Sequence, residues 1–491
     1  MMPSKSWLKS GLIIPFVSLF VVLAAWGTTS PIGSSPDEPF HIASIWCATG
    51  KIDEHCLSEK EIDSGRKEVT LPFTVDICFG ASLSTSAACS SNGQPIPQVN
   101  EANTTLGPNG FYRAMHVFVS SNPLMSVLRM RIFNALLAAF CFAMVLVLAP
   151  RKLKIAFIGS WVVTLIPMGL SLMSSINPSS WTITAGATNW VFFITAITSA
   201  RKSKQQLGAG AMWLFTLLLA LSSRHDGLYI ALATNLIALF ALNGFNTRSL
   251  KRFAPWIGAA LLLCLSLTQV RRTIGYFTVF STSINTYPDR SFVQWFAFNV
   301  VHVIEIPLGT WGGDWGAGGI RSFGISPPPL VSAIGFAMFI ATLTVALRQP
   351  NKKQLLALSG AALLVTVPIF QMLNHYRFLI GDMVTSRYIL PAMPFVVGIA
   401  LYASTNTQEF IQGKNTKRLL VTLISISHSV TLYTVLQRYV SGNDGFYRLI
   451  DTTNGWWWKS MPVGPNLVWL IGSLLLPVAL MSWIRAIELD Q

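Results

Sequence analysis

The chain is 491 residues long, 52% hydrophobic and only 11% charged, with a mean hydropathy of +0.52. That balance excludes a soluble globular enzyme and marks a polytopic membrane protein. Its formal charge of +15 would suit nucleic acid in a soluble protein. Here the basic residues sit in short clusters between apolar runs, with no basic domain, so they report topology and exclude nucleic acid as a partner.

Apolar runs long enough to cross a bilayer are predicted at 11–29, 132–149, 155–173, 181–199, 208–222, 227–243, 254–270, 329–347, 355–373, 388–404, 418–437 and 466–484. They predict an all-α polytopic membrane protein of about twelve transmembrane helices, one integral membrane domain over 1–491. The first run has the Lys-flanked start of a signal peptide. Its core is too long for one and its exit lacks a small-x-small cleavage site, so it reads as a retained anchor. The clusters Lys5/Lys9, Arg151-Lys152-Lys154, Arg201-Lys202-Lys204, Arg248/Lys251/Arg252, Arg348/Lys352/Lys353 and Lys414/Lys417/Arg418 recur on one side of this plan. By the positive-inside rule both termini are then cytoplasmic, in the cytoplasmic (inner or plasma) membrane.

The segment 30–128 is the largest hydrophilic stretch, predicted as a large extracytoplasmic loop. It holds Cys47, Cys56, Cys78 and Cys89, an even set that fits two disulfides in an oxidising compartment. Pairing 47–56 with 78–89 is the most local of three options, and four unpaired thiols are the alternative. The Ser-, Asn-, Gly- and Pro-rich stretch 79–108 is predicted irregular and mobile. A second external loop covers 271–328. Within it 292–309 is apolar but broken by His302, Glu305 and Pro307, and reads as re-entrant or interfacial.

The chemistry concentrates at Ser35-Pro36-Asp37-Glu38-Pro39-Phe40-His41, where the chain leaves the first span. Charge at the edge of hydrocarbon needs water, a partner or a task. The spacing after Pro39 predicts a short surface helix, with Asp37 and His41 sharing a face if it starts early enough. Ser35-Pro36-Asp37-Glu38 also reads as a capping box with proline at the first helical position. Pro39 argues against that register, and a start at Pro39 leaves both carboxylates free.

A first span followed by an acidic motif and a large external loop with surface helices resembles the GT-C superfamily of lipid-linked-sugar glycosyltransferases. The chain is more closely similar to a bacterial membrane-protein family of unknown function grouped with that superfamily. Pro36, Asp37, Glu38 and His41 match its Pro-Asp-Glu-x-x-His element. Gly110-Phe111-Tyr112 through Arg131 and Asn134 resembles its aromatic run before an Arg-led second span. Asn177-Pro178, Ser386-Arg387-Tyr388-Ile389-Leu390-Pro391 (Ser in place of Gly) and Arg438-Tyr439 resemble later elements.

The resemblance implies a GT-C-like fold and a polyprenyl-phosphate sugar donor. The sugar would pass to a cell-envelope glycan, lipid or protein acceptor on the extracytoplasmic side. Such a displacement needs a base for the acceptor hydroxyl and positive charge on the departing phosphate. Asp37 is then the base, Glu38 orients the acceptor or helps hold a cation, and His41 orients Asp37 or contacts phosphate. A divalent ion, Mg or Mn, is the cofactor this site could take, held by Asp37 and Glu38, although two adjacent carboxylates and one histidine are not by themselves a sufficient ligand set.

Arg387, with Tyr388, is the candidate for the lipid phosphate, an interfacial anchor being the alternative. Tyr112 belongs to the substrate-binding set, and Arg224 in Arg224-His225-Asp226 adds phosphate or acceptor contacts or closes a self-paired turn. Asn177 caps the next helix or binds substrate. Trp311–Gly316 and Trp456-Trp457-Trp458 offer rings for sugar stacking or an interfacial belt. His302 and Glu305 line the cavity or pair with each other. P-loop, HExxH and GxSxG patterns are absent. A lipid-linked glycan flippase or transporter, and a glycan polymerase or ligase, are the competing readings.

Overall fold

A computed structural model describes residues 5–63, 66–80, 82–90, 93–103, 110–243, 247–266, 289–312, 325, 327–381, 384–408, 413–442, 450, 456–458 and 461–490. The chain runs α1 (Lys5–Thr28), α2 (Glu38–Trp46), β1 (Ser58–Asp63), β2 (Arg66–Leu71), β3 (Gln98–Asn103), α3 (Gly110–His116) and α4 (Pro123–Leu148). There follow α5 (Arg151–Thr164), α6 (Met168–Met173), α7 (Ser179–Thr198), α8 (Lys204–Ser223), α9 (His225–Asn243) and α10 (Thr247–Ser266). The remaining helices are α11 (Phe292–His302), α12 (Glu305–Gly309), α13 (Pro329–Ala346), α14 (Lys352–Tyr376), α15 (Met393–Ala403), α16 (Lys414–Ser441) and α17 (Pro465–Glu488).

Among the described residues, seven helices are long and apolar enough to cross a membrane: α1, α4, α8, α13, α14, α16 and α17. This is fewer than the twelve predicted. The predicted span 155–173 is two helices, α5 and α6, parted around Leu165–Pro167, where proline supplies no backbone N–H to continue the ladder. The predicted span 388–404 shrinks to the 11 residues of α15, because Pro391 and Pro394 confine regular helix to its second half. An eleven-residue helix is only about 16 Å long, roughly half a bilayer core. α7 falls short in hydropathy rather than length. It carries Thr182, Thr184, Thr188 and Asn189 yet is buried along nearly its whole course, a helix walled by protein on every side. Asn189 donates to the Trp213 carbonyl and Thr216, and accepts from Asn235, tying α7 to α8 and α9.

α1 packs on α4 and α17, α7 on α8, and α5 on α15. The Trp483 indole on α17 donates to the Pro15 carbonyl, and Trp458 just before α17 donates to Thr28, so α1 and α17 run antiparallel. The helix ends away from the first loop are closed by the pairs Lys154–Asp490 and Lys417–Glu488.

The first loop is not all helical, contrary to the all-α expectation. β1, β2 and β3 form an antiparallel sheet in the order β1-β2-β3. Among the described side chains of these strands only Val69, Leu71 and Ala102 are buried, so the alternation is too weak to signal strands in so polar a stretch. β3 lies within 79–108, the stretch predicted irregular. Cys47 pairs with Cys56 and Cys78 with Cys89, the local option. Arg438, at the end of α16, donates to the carbonyls of Phe79, Ser82 and Thr85, which roots the second disulfide loop in the helical bundle.

The segment 292–309 forms two short helices, α11 and α12. α11 presents Phe292, Val293, Phe296, Val300 and Val301 outward and buries Trp295 and Asn299. Both buried side chains bond the backbone of Phe378 or Ile380.

Candidate functional site

α2 begins at Glu38, one residue earlier than the predicted Pro39 start. Asp37 takes the N-cap position in a left-handed conformation, φ 58° and ψ 17°, and its side chain makes no capping hydrogen bond. The capping-box reading therefore survives only in part: the Glu38 carboxylate reaches back to the N–H of Ser35, but Asp37 is released from capping. Left-handed backbone is unusual for a residue with a Cβ, and Asp is among the few that tolerate it.

The neighbouring carboxylate is fully committed. Glu38 is 0% exposed. Its oxygens accept from Arg131 Nε and Nη2 and from the backbone N–H groups of Gly33 and Ser35. Arg131, two turns into α4, also donates to the carbonyls of Gly27, Ser30 and Pro31. This cluster welds the end of α1 to α4 and α2. A buried pair of this kind holds because every donor and lone pair around it is satisfied.

Glu38 thus has no free face for an acceptor or a cation. Among the described residues no three His, Cys, Asp or Glu side chains gather as metal ligands. The described residues do not fit a resident divalent ion.

Asp37 meets a residue from far along the chain. Its Oδ2 lies 3.0 Å from Nη2 of Arg387, in the 3-10 turn Ser386–Tyr388 that leads into α15. The Asp37 carboxylate is half exposed, whereas the guanidinium is largely enclosed. Arg387 Nε and Nη1 are buried without a hydrogen-bond partner. Buried guanidinium donors left open are costly, and in a native site they call for a ligand or ordered water.

Tyr388 is flanked by two guanidiniums, Arg387 at 5.4 Å and Arg224 at 5.2 Å from its ring centroid. Arg224 closes on Asp226 with two hydrogen bonds of 3.0 and 3.1 Å and donates to Ser179. The turn is self-paired, as one reading of the sequence had it, yet it sits against Tyr388. Both arginines supply positive potential at the same place.

His41 lies on the buried face of α2 with Nδ1 3.0 Å from the Tyr112 hydroxyl. Burial drives its pKa down to about 3. Asp37 opposes that shift, while Arg387 and Arg224 add to it. The imidazole is therefore neutral at ordinary pH and serves as a hydrogen-bonding group, not a cation. Asn177 is buried too: Nδ2 donates to the Pro36 carbonyl at 2.8 Å and Oδ1 accepts from Ser179 N–H. It holds the first residue of α7 from just outside the Pro178 N-cap, close to the capping alternative of the sequence, and its other arm holds the residue before Asp37.

So Asp37, His41, Tyr112, Arg224, Arg387 and Tyr388 come together at one end of the bundle, while Glu38 and Asn177 lie beneath them as supports. Other candidates lie elsewhere. Trp311 is fully buried, its indole donating to the Val163 carbonyl; the rest of that motif, 313–316, lies outside the described residues. Trp458 is spent on Thr28, and Trp456 and Trp457 pack on each other 4.8 Å apart. His302 and Glu305 approach each other at 3.9 Å. The residue the sequence undervalued is Arg131. A charge inside an apolar helix is itself the signal, because it demands a buried partner.

A family model described as a predicted membrane protein (DUF2142) matches residues 20–304. That span takes in Asp37, Glu38, His41, Tyr112, Arg131, Asn177 and Arg224, and stops before Arg387. No curated protein and no solved structure matches the chain. With more than half of its length under that model, the chain belongs to the DUF2142 family of predicted membrane proteins.

Proposed function

We propose that this protein is a membrane glycosyltransferase of GT-C type. It moves a sugar from a polyprenyl-phosphate donor to a glycan, lipid or protein acceptor of the cell envelope. The observation that carries the reading is the Asp37–Arg387 pair, in which a half-exposed carboxylate touches a guanidinium with two buried, open donors. Transfer from a phosphate-activated sugar needs both functions in one site.

The acceptor hydroxyl attacks the anomeric carbon and gives its proton to Asp37. The bond from that carbon to the phosphate oxygen breaks with inversion, and the polyprenyl phosphate departs with the electron pair. Arg387 stabilises the charge that develops on the leaving phosphate. A phosphate on Arg387 also competes with Asp37 for the guanidinium, so donor binding loosens the carboxylate for the acceptor. Neutral His41, held by Tyr112, offers a hydrogen bond without adding charge, and the Arg224–Tyr388 stack backs Arg387. The fold in this reading has about twelve spans, both termini cytoplasmic, and this end of the bundle outside the cytoplasmic membrane.

The test is turnover of lipid-linked sugars by purified protein in liposomes, native against Asp37→Asn, across crude lipid-glycan donors. Transfer or donor hydrolysis lost in Asp37→Asn at unchanged thermal unfolding supports the reading. Donor moved across the bilayer without bond cleavage, insensitive to Asp37, replaces it with a flippase.

A further inference from the structure

The left-handed backbone at Asp37 is not required by α2, which could begin without it. It is over-determined from both sides by side chains that never reach the open face of the site. On the N-terminal side, Asn177 takes the Pro36 carbonyl at 2.8 Å. On the C-terminal side, Glu38 is locked by Arg131 and by the N–H groups of Gly33 and Ser35. Pro36 and Glu38 are thus both pinned, one to Asn177 just before α7 and one to Arg131 on α4, while the Asp37 side chain turns away from its own helix. The result is a carboxylate that points at Arg387 instead of capping its own helix.

We infer that Asn177 and the Glu38–Arg131 pair are positioning residues that present the Asp37 carboxylate to Arg387 by holding its backbone left-handed. The inference deepens the glycosyltransferase reading and rests on it for its kinetic consequence, but its geometric content stands apart. A strained backbone in a native site persists only when its surroundings enforce it, and here the enforcing atoms are named. Arg131 also explains why Glu38 follows Asp37 directly. One carboxylate is consumed as the anchor so that the adjacent one can be displayed.

The experiment separates positioning from helix capping through two substitutions at one residue. Asn177→Ala removes both arms. Asn177→Asp keeps the acceptor for Ser179 but offers Pro36 no amide N–H. Both variants are expected to lower kcat for lipid-linked sugar transfer by on the order of 10²-fold, with donor KM changed by no more than about twofold, since Arg387 is untouched. Asn177→Asp behaving as native while Asn177→Ala fails would reduce Asn177 to a cap and overturn the inference.

An activity-free measurement keeps the two readings distinguishable. A double-mutant cycle between Asp37→Ala and Arg387→Ala, read by thermal unfolding in detergent, is run with Asn177 intact and again with Asn177→Asp. Coupling between Asp37 and Arg387 that is present with Asn177 and lost without it upholds the positioning even if no sugar is ever transferred. Coupling that persists in Asn177→Asp rejects it whatever the activity. Arg131→Lys, which retains the charge but not the fork, is the second variant and should weaken the same coupling.

Discussion

Asp37 and Arg387 come from widely separated parts of the chain and meet at 3.0 Å through Oδ2 and Nη2. The pair brings the residue proposed as base against the residue proposed for phosphate, and several outcomes depend on it.

Asp37→Asn should abolish sugar transfer, a loss of about 10²- to 10⁴-fold for a general base. Asparagine tolerates left-handed backbone as well as aspartate does. Its side-chain carbonyl oxygen still accepts from the Arg387 guanidinium, so most of that contact is kept. Thermal unfolding in detergent should therefore stay near native while turnover falls. A melting loss matching the activity loss would make Asp37 a structural residue.

Replacing Arg387 by Lys keeps a charge and removes the planar fork. Donor KM should rise and kcat should fall, since the fork holds both the bound phosphate and the charge that develops on it as it leaves. Equal affinity for Arg387→Lys and native protein would leave Arg387 as an interfacial anchor.

Glu38→Gln and Arg131→Met each break a fully buried pair. Removing one partner strands the other, and such breaks cost about 3–5 kcal/mol. Both variants should show poor folded yield and a lowered melting temperature, whereas Asp37→Asn should not. That contrast between adjacent carboxylates is read directly in a detergent melting series.

The Arg387 turn reaches its place because α7 carries a glycine beneath it. A Cβ at Gly186 would lie 2.1 Å from the Pro391 carbonyl oxygen, which backbone cannot yield cheaply. Gly186→Ala should push the 387–391 segment outward, lowering stability by about 1–3 kcal/mol and raising donor KM. Unchanged melting and unchanged KM would show that α15 slides freely on α7.

His41 has a folded pKa near 3 against an ordinary 6.5. The unfolded chain binds the extra proton first, so stability rises with pH across that window. The stability that depends on a neutral His41 is complete above about pH 6.5 and is lost as pH falls toward about 3. A His41→Gln variant should lose this part of the acid sensitivity. In NMR of labelled histidine, the His41 signal should not titrate between about pH 5 and 8. Titration near 6.5 would place the ring in water.

The site was legible where charge stood in the wrong solvent. Asp37 and Glu38 just past the end of an apolar run announce a partner or a task, whereas Arg131, one residue before the predicted second span, does so only once α4 is seen to enclose it. What local pattern does not carry is which carboxylate is anchor and which is displayed. Adjacent residues share the same propensities, and only Arg131 on α4 and Asn177 before α7 separate their fates. The sheet escaped for a related reason. Only Val69 and Leu71 of Arg66–Leu71 are buried, and they stand at the end of a polar strand, so the pairing leaves too short a hydrophobic period to announce it.

Membrane class, the apolar segments and the even set of loop cysteines follow from composition and spacing, since burial in lipid and local disulfide closure are dictated residue by residue. The rest required three dimensions. That the threonines and asparagine of α7 are walled in by other helices shows only in the packed structure. Arg387 acquires open donors and an aspartate partner only after the chain returns to the mouth of α1. Ion pairing depends on distance in space and on the water that folding removes, and neither quantity is written along the chain.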